Sequence, residues 1–498
     1  MFAAKLPGGR ATWMWRVQGG GSRKGALRAK DLLLLQTLLV ITRSLPPAMH
    51  GDMRPMSMQS SSAPPEIRAS AEDAHPRRAG NSRFDGVDLA ALALRVGTPC
   101  YAYSTTAIRE RIGALKSALG DLDALVCFAV KANPNIGVLQ LMAQAGVGAD
   151  IVSAGELRRA LRAGIPAGRI VFSGVGKTIQ EINEALVAGV ARFNLESRDE
   201  LECLQRLARE HHVIAHAAVR VNPDVDAGTH AKISTGKAEN KFGVSLAEAR
   251  RWFAASDHFP HVRIDGLHVH IGSQIMSVEP LREAFARVAE FRRELAAAGH
   301  EIASIDVGGG LGVSYRDGHD QPISPRAYVD AIRASLGDFT GRIVLEPGRW
   351  LVAEAGVLLT RVIRIKRGVE RDFLVVDAAM NDLVRPALYD AWHDIVPVGP
   401  ATSVSRAGPV KTYDIVGPVC ESSDIFARAR ELPTCAPGDL LMIKATGAYG
   451  ASMGSTFNSR PLAAEVLLDS GRYSIVRRRQ TFEEMIGSET LATDWQNA

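Results

Sequence analysis

The sequence predicts an α/β protein built around a (β/α)8 TIM barrel, with a second domain of mostly antiparallel strands. From about residue 105, apolar strand-like runs alternate with amphipathic stretches at helical spacing. Eight strand candidates occur, at 124–130, 148–152, 169–173, 191–195, 216–221, 264–271, 304–307 and 341–345. Eight strands with helices between them is the count of a closed barrel, although a doubly wound open sheet shows the same alternation.

The segments after the barrel predict a β domain. Strand-like runs at 373–377 and 439–443 are separated by turns and lack helical patterns between them. We therefore expect the barrel to cover residues 105–356 and the second, antiparallel domain, a sandwich or barrel of strands, to cover 357–498.

Residues 1–83 differ from the rest of the chain. The first 50 residues carry eight basic side chains and one acid, and they include an apolar run at 32–41. That run is too short to span a bilayer, but it resembles part of a signal peptide or an organelle-targeting leader. The alternative is an over-long start, with the true one near Met49 or Met53. In both cases we exclude residues 1–83 from the fold.

The net charge and the spacing of the cysteines favour some classes of protein over others. The net charge of the whole chain is +5, but without residues 1–50 it is −2, so nucleic-acid binding loses its main support. Nothing in the pattern predicts a membrane partner. Five widely spaced cysteines form neither a metal-type pair nor a disulfide framework, which favours a reducing compartment and hence the cytoplasm, unless the leader directs the chain to an organelle or to export.

Polar and glycine residues follow seven of the eight predicted strands. Lys131 ends the first strand, Gly308–Gly310 follow the seventh and Glu346 follows the eighth. Because a TIM barrel carries its active site at the carboxyl ends of its strands, these residues predict a site at one mouth of the barrel.

Three of these features have a chemical interpretation and a structural alternative. Burial lowers the pKa of a lysine, so the Lys131 amine would attack an aldehyde; the alternative is a lysine at the solvent end of a strand. The triple glycine offers backbone N–H groups to a phosphate, or forms a plain tight turn. Glu346 would pair with a pyridine nitrogen, or with a structural arginine.

Two histidines alternate on the sixth predicted strand. His268 and His270 would face the same side and either bind a metal or stack on a planar ring. The sequence shows no third metal ligand near them, so we assign no metal. Ser273, beside Gly272, would add a hydroxyl to a bound phosphate.

Taken together, these motifs resemble the pyridoxal-phosphate enzymes that join an alanine-racemase-like barrel to a β domain. Within that group, later motifs resemble the diaminopimelate decarboxylase family. The resemblance extends in collinear order over roughly residues 85–480, and the later motifs lie at 233–236, 241–243, 381–389, 417–422, 447–449 and 458–466. It implies that residues 84–104 join the β domain.

The resemblance implies pyridoxal 5'-phosphate as cofactor, held covalently by Lys131. The cofactor phosphate would lie on the triple glycine, the ring against His270 and the ring nitrogen opposite Glu346. Cys420 would return a proton to the substrate from the partner subunit of a homodimer with shared active sites. The implied cofactor-binding residues are Lys131, His270, Ser273, Gly308, Gly309, Gly310, Glu346, Gly348, Arg349 and Tyr449.

The implied reaction converts meso-2,6-diaminopimelate to L-lysine and CO2, the last step of lysine biosynthesis. The distal centre of that substrate carries an amine and a carboxylate, so its pocket needs arginines and an acid together. Another decarboxylase of this fold (carboxynorspermidine, ornithine or arginine) and a catalytically inactive regulatory relative stay as alternatives. The implied substrate-binding residues are Arg349, Arg385, Tyr389, Glu421 and Tyr449.

Overall fold

The computed structural model describes residues 82–228, 241–399, 409–493 and 495–496. The expectations for residues 1–81, and the motif at 233–236, lie outside these residues. Among the described helices, none combines the length and the apolar character that crossing a membrane requires.

The strands of the described residues are numbered in chain order. They are β1 (Arg83–Phe84), β2 (Val87–Asp88), β3 (Cys100–Ser104), β4 (Ala124–Ala129), β5 (Gly148–Ile151), β6 (Ile170–Phe172), β7 (Arg192–Leu195), β8 (Ala215–Asn222), β9 (Val244–Ser245), β10 (Val262–His268), β11 (Ser304–Asp306), β12 (Arg342–Leu345), β13 (Gly356–Lys366), β14 (Asp372–Val376), β15 (Ile395–Pro397), β16 (Val410–Val416), β17 (Ile425–Pro433), β18 (Leu440–Ile443), β19 (Ala464–Asp469) and β20 (Arg472–Arg477).

The α-helices of the same residues are numbered in the same way. They are α1 (Leu89–Val96), α2 (Thr105–Leu119), α3 (Ile136–Gln144), α4 (Ala154–Arg162), α5 (Ile179–Ala188), α6 (Arg198–Glu210), α7 (Leu246–Ala254), α8 (Glu279–Ala297), α9 (Pro325–Leu336), α10 (Arg349–Val352), α11 (Arg385–Tyr389) and α12 (Phe482–Ile486).

Eight parallel strands close into a barrel, which confirms the predicted fold. They follow the order β4, β5, β6, β7, β8, β10, β11, β12, and β12 pairs back onto β4. The short β9 adds to the side of β8, so β8 and β10 still pair directly. All eight predicted strands are present, but β4 ends at Ala129 and β10 at His268. Lys131 therefore lies in a 3-10 turn and His270 lies beyond its strand.

The helices around the barrel follow from local sequence signals. α6 buries Leu201, Leu204 and Leu207, which lie on one helical face. Ser153, Thr178 and Ser197 cap α4, α5 and α6, and each side chain accepts a hydrogen bond from a backbone N–H in the first turn. Apolar residues therefore cover the outside of the barrel strands and leave the polar strand ends at its mouth.

A second, mostly antiparallel sheet follows the barrel, as predicted. Its main order is β17-β16-β14-β13-β3-β19-β20, and β18 pairs with β13 and β15. The pairs β14–β16 and β3–β19 are parallel, and the other pairs are antiparallel. The strand candidates at 373–377 and 439–443 correspond to β14 and β18, and β3 comes from the segment before the barrel. The domain boundaries at 104/105 and 356/357 stay a prediction.

The turn that carries Lys131 is tied to the second sheet. Asn133 Nδ2 donates to Gly447 O at 3.0 Å, and the backbone N–H of Tyr449 donates to Ala132 O at 2.8 Å. Next to this turn, the buried carboxylate of Glu465 on β19 accepts a hydrogen bond from Asn135 Nδ2 at 2.8 Å. The same carboxylate binds the Tyr103 hydroxyl of β3.

We expect Glu465→Leu to lower the free energy of unfolding by about 2–4 kcal/mol, because it leaves buried donors of Tyr103 and Asn135 unpaired. Urea denaturation followed by circular dichroism measures the change. Glu290→Leu is the control, since Glu290 is an exposed acid of α8 and its loss should change stability by no more than about 0.5 kcal/mol. Equal effects of the two substitutions would contradict the role given to Glu465.

Candidate active site

Lys131 lies at the mouth of the barrel, next to an acid near the end of the neighbouring strand, β5. Its Nζ donates to Asp150 Oδ2 at 2.6 Å. The Asp150 side chain is fully buried, whereas that of Lys131 is 40% exposed, so the amine remains accessible from the mouth. Sequence reasoning missed Asp150, although an acid inside the buried run at 148–151 was an available signal.

The pKa of Lys131 is raised, so the expectation of a lowered pKa was wrong. Burial does lower it, but the nearby carboxylates of Asp150 and Glu346 outweigh that effect. Burial and the charge of Glu346 raise the pKa of Asp150 in turn. Lys131 is thus held as an ammonium, and its amine reacts with an aldehyde only after giving up a proton, for which Asp150 is an acceptor in direct contact.

Glu346, directly after β12, is the buried carboxylate at the centre of this mouth. Its Oε1 accepts hydrogen bonds from Ser173 Oγ and Asn194 Nδ2, both at 3.2 Å, and its Oε2 lies 3.3 Å from His268 Nε2. Burial raises the pKa of Glu346, but His268 opposes this and the net direction is down. Burial and the charge of Glu346 raise the pKa of neighbouring Asp306 to about 8. Glu346 therefore carries the negative charge and Asp306 the proton.

The partner of Glu346 among the described residues is a histidine and not the structural arginine of the alternative interpretation. His268, Asp306 and Glu346 each place a ligand atom within 4.8 Å of the others, a grouping that a metal ion could use. The sequence paired His268 with His270 and found no third ligand. In the structure His270 lies beyond the end of β10, and its Nδ1 accepts a hydrogen bond from Gly309 N at 3.2 Å.

The triple glycine packs its backbone against two neighbouring strand ends. A Cβ at Gly309 would lie 2.2 Å from Glu346 O, and one at Gly308 would lie 2.5 Å from Val269 O. Gly308 also has a φ of +68°, which favours glycine. Gly308 N–H donates to Asp306 Oδ1 at 2.9 Å, so only Gly310 N–H has no protein acceptor among the described residues. A phosphate on this turn stays a prediction, with Gly310 as its available donor.

Arg349 begins α10, three residues after Glu346, and points into the same mouth. Its Nη2 donates to Ser273 Oγ at 3.0 Å, and its Nη1 donates to the Tyr315 hydroxyl. Its guanidinium carbon lies 4.7 Å from the ring centre of Tyr449, a half-buried tyrosine with a φ of +54°. Gly348 permits this arrangement, because a Cβ there would lie 2.9 Å from the Cβ of Ala129 at the end of β4.

Arg385 begins α11, and the guanidinium groups of Arg385 and Arg349 both lie near the Tyr315 ring. The Arg385 guanidinium carbon lies 4.3 Å from that ring centre, and its Nη1 lies 2.7 Å from His393 Nε2. Arg349 and Arg385 are only 7% and 6% exposed. Within the described residues, no Asp or Glu lies within 4.0 Å of either guanidinium group. Buried cations without an acid are costly unless an anion joins them, so this arginine pair is suited to bind an anion.

The sequence missed two of the residues around the arginine pair, Tyr315 and His393. Both follow motifs that sequence reasoning did identify, the triple glycine and the segment 381–389. Tyr389, which was predicted, is half-buried on α11 with Arg385.

Cys420 and Glu421 lie on an exposed loop of the second sheet, between β16 and β17. Asp424 holds the loop by accepting hydrogen bonds from Met380 N at 2.6 Å and Val419 N at 2.8 Å. In the part of the chain that the structure describes, no hydrogen bond or ion pair joins Cys420 or Glu421 to Lys131. Within the described residues of the single chain, the predicted proton donor thus makes no direct contact of these kinds with the amine.

Comparisons with known proteins agree with this geometry. The family model for the pyridoxal-binding domain of pyridoxal-dependent decarboxylases matches residues 105–353. The diaminopimelate decarboxylase of Zymomonas mobilis is 47% identical over 413 residues, which are 82% of this chain and 97% of that protein. The Pseudomonas aeruginosa enzyme of the same name is 48% identical over 407 residues, with coverages of 82% and 96%.

A solved structure also resembles this one. The diaminopimelate decarboxylase of Helicobacter pylori, complexed with L-lysine, superposes with a TM-score of 0.77 at 40% identity. The match covers 81% of this chain and 99% of the Helicobacter pylori chain.

We expect Asp150→Asn to lower the pKa of Lys131, because it removes the nearest negative charge. A lower pKa gives more free amine at pH 8, so Lys131 should be acetylated about tenfold faster, or more, by limiting acetic anhydride. Mass spectrometry of the peptides measures the rate in protein without added cofactor. Acetylation of Lys366, an exposed lysine of β13, should not change; an unchanged Lys131 rate would contradict the assignment.

Proposed function

The chain belongs to the diaminopimelate decarboxylase family, and we propose that it removes CO2 from meso-2,6-diaminopimelate to yield L-lysine with the help of pyridoxal 5'-phosphate. The observation that carries this proposal is that acidic and basic groups lie close together at one mouth of the barrel. An accessible amine stands beside buried acids, and a buried arginine pair without an acid lies next to them.

The residues at the mouth fit pyridoxal phosphate. Three of their buried polar atoms, Asp150 Oδ1, Asn194 Oδ1 and His268 Nδ1, have no hydrogen-bond partner among the described residues, as expected where a polar ligand completes a site. When bound, the cofactor supplies an electron sink for the carbon that loses CO2. The residues that would hold it are Lys131, His270, Ser273, Gly308, Gly309, Gly310, Glu346, Gly348, Arg349 and Tyr449.

Glu346 would hold a proton on the ring nitrogen. Its lowered pKa keeps it ionised, and a carboxylate facing a pyridine nitrogen favours the protonated ring. His270 is suited to lie against a ring as a neutral imidazole, because burial, together with the charge of Arg220, lowers its pKa to about 3. Glu346 would thus supply a negative charge to the cofactor ring nitrogen, and His270 would offer a neutral surface to the ring.

The arginine pair would select the substrate. Diaminopimelate keeps a carboxylate at the centre that is not decarboxylated, and that anion would compensate Arg349 and Arg385. Ornithine or arginine would bring no such carboxylate to the distal pocket and would leave both guanidinium groups buried and unpaired. Tyr389, Tyr449 and Glu421 are the other proposed substrate contacts, with Glu421 toward the distal ammonium.

Cys420 is the proposed proton donor, acting from the partner subunit of a homodimer. A thiol suits this task because its ordinary pKa lies close enough to neutrality for both forms to occur. The exposed position of Cys420 supports the proposal, since a residue that completes another subunit's site must project from its own chain.

We also propose a cytoplasmic location, as expected from the cysteine usage. All five cysteines are free.

The substrate assignment is tested with purified protein and pyridoxal phosphate. Meso-diaminopimelate, ornithine and arginine are supplied separately, and CO2 and lysine are measured. We expect lysine and CO2 from diaminopimelate, with kcat/KM at least about 100-fold above that for the other two amino acids. Release of CO2 from ornithine or arginine, with no lysine from diaminopimelate, would contradict the substrate assignment. No release from any of the three would favour the inactive regulatory relative or a decarboxylase for carboxynorspermidine.

The shared-site proposal is tested by mixing two inactive variants, Lys131→Ala and Cys420→Ala. If each site takes its lysine from one subunit and its cysteine from the other, mixed dimers contain one intact site. Random exchange should then restore about 25% of wild-type activity. Each variant alone is the control. A mixture as inactive as its components, with exchange of subunits shown by mass spectrometry of labelled chains, would rule out shared sites.

A further inference from the structure

We infer that His393 is a positioning residue that holds Arg385 through a neutral acceptor, so that the charge of Arg385 stays uncompensated for the distal carboxylate of the substrate. The inference rests on the proposed function, because it takes the arginine pair as the carboxylate-binding site. His393 belongs to none of the motifs from which the site was predicted.

Both ring nitrogens of His393 have a defined partner. Nδ1 lies 2.8 Å from Lys444 O, and Nε2 lies 2.7 Å from Arg385 Nη1. A carbonyl oxygen only accepts and a guanidinium only donates, so Nδ1 carries the hydrogen and Nε2 is the acceptor. His393 is 1% exposed, and burial, with the charge of Arg385, lowers its pKa to about 3. The ring is therefore neutral throughout the physiological pH range.

Arg220, the buried arginine of the described residues that lies outside the arginine pair, has an acidic partner. Its Nη1 lies 2.8 Å from Glu196 Oε1, and the partly buried Arg192 likewise has its Nη1 2.8 Å from Asp265 Oδ1. Such pairs neutralise the arginine and give it a structural role. Arg385 is as deeply buried as Arg220, but its partner is an imidazole, which orients the guanidinium group without cancelling its charge.

The imidazole is itself held from both domains. The Tyr315 ring meets it edge-on, with ring centres 5.0 Å apart and planes at 73°. Next to it, Trp392 lies between Arg430 of β17, 3.4 Å from its ring centre, and Arg316 of the barrel, 4.5 Å from it. Trp392 Nε1 also donates to Asp394 Oδ1 at 2.8 Å. The edge-on Tyr315 ring and the two hydrogen bonds of the imidazole hold it in its orientation toward Arg385.

The test compares His393→Gln with His393→Glu, two side chains of equal length that differ in charge. The amide oxygen of the first can accept from Arg385 and stay neutral, whereas the carboxylate of the second would pair with Arg385 and compete with the substrate. Calorimetry on the enzyme reconstituted with pyridoxal phosphate measures Kd for L-lysine, which has a carboxylate, and for 1,5-diaminopentane, which has none. KM for meso-diaminopimelate is measured in parallel.

We expect His393→Glu to raise Kd for lysine and KM for diaminopimelate about 10- to 100-fold, as loss of a charged hydrogen bond would. Kd for 1,5-diaminopentane should stay within about twofold, and His393→Gln should keep Kd for lysine within about threefold. Equal weakening of lysine by both variants, equal weakening of both ligands by His393→Glu, or no weakening at all would overturn the inference.

If His393→Glu does not fold, His393→Leu replaces it. Loss of the acceptor alone should raise Kd for lysine about tenfold and leave 1,5-diaminopentane unchanged. Wild-type tightness for lysine in the Leu variant would overturn the inference. The proposed function would instead fail if the wild-type enzyme neither bound lysine nor decarboxylated diaminopimelate, a result that is visible before any variant is made.

Discussion

The ionised carboxylate of Glu346 constrains everything around it, because a charge that is 6% exposed must be surrounded by donors or cations. Those groups come from strands far apart in the chain. Ser173 follows β6, Asn194 lies in β7 and His268 ends β10. Only closure of the barrel, with β12 paired to β4, brings them to one point. The same closure places Glu346 near Lys131, whose pKa it helps to raise.

The barrel mouth has an acidic half and a basic half, and residues that follow β12 contribute to both. The acids Asp150, Asp306 and Glu346 lie on the barrel side, where they hold an ammonium, a proton and a negative charge. Arg349, three residues after Glu346, turns to the other half and joins Arg385 of the region that follows the barrel. A ligand with a cationic ring nitrogen and an amino acid with two carboxylates would together match this division.

Much of the fold could be predicted from sequence, since alternating strands and helices indicate a barrel, and strand ends indicate where a barrel carries its site. The side-chain contacts of the candidate site residues could not be predicted from sequence. Burial alone predicts a lowered pKa for Lys131, but the charge of Asp150 keeps this residue an ammonium. The backbone N–H of Gly308 donates to Asp306, so it is not available to a phosphate. His393 contacts Arg385 through side-chain packing that no spacing in the sequence encodes. The exposed position of Cys420 likewise appears only in three dimensions.

Binding of an aldehyde cofactor to Lys131 at the barrel mouth is tested by borohydride reduction of the protein after incubation with pyridoxal phosphate, followed by peptide mapping. We expect one stoichiometric pyridoxyl label on the peptide that contains Lys131, with loss of that label in Lys131→Ala. A stoichiometric label on another lysine, or no label on the wild-type protein, would show that Lys131 does not hold the cofactor.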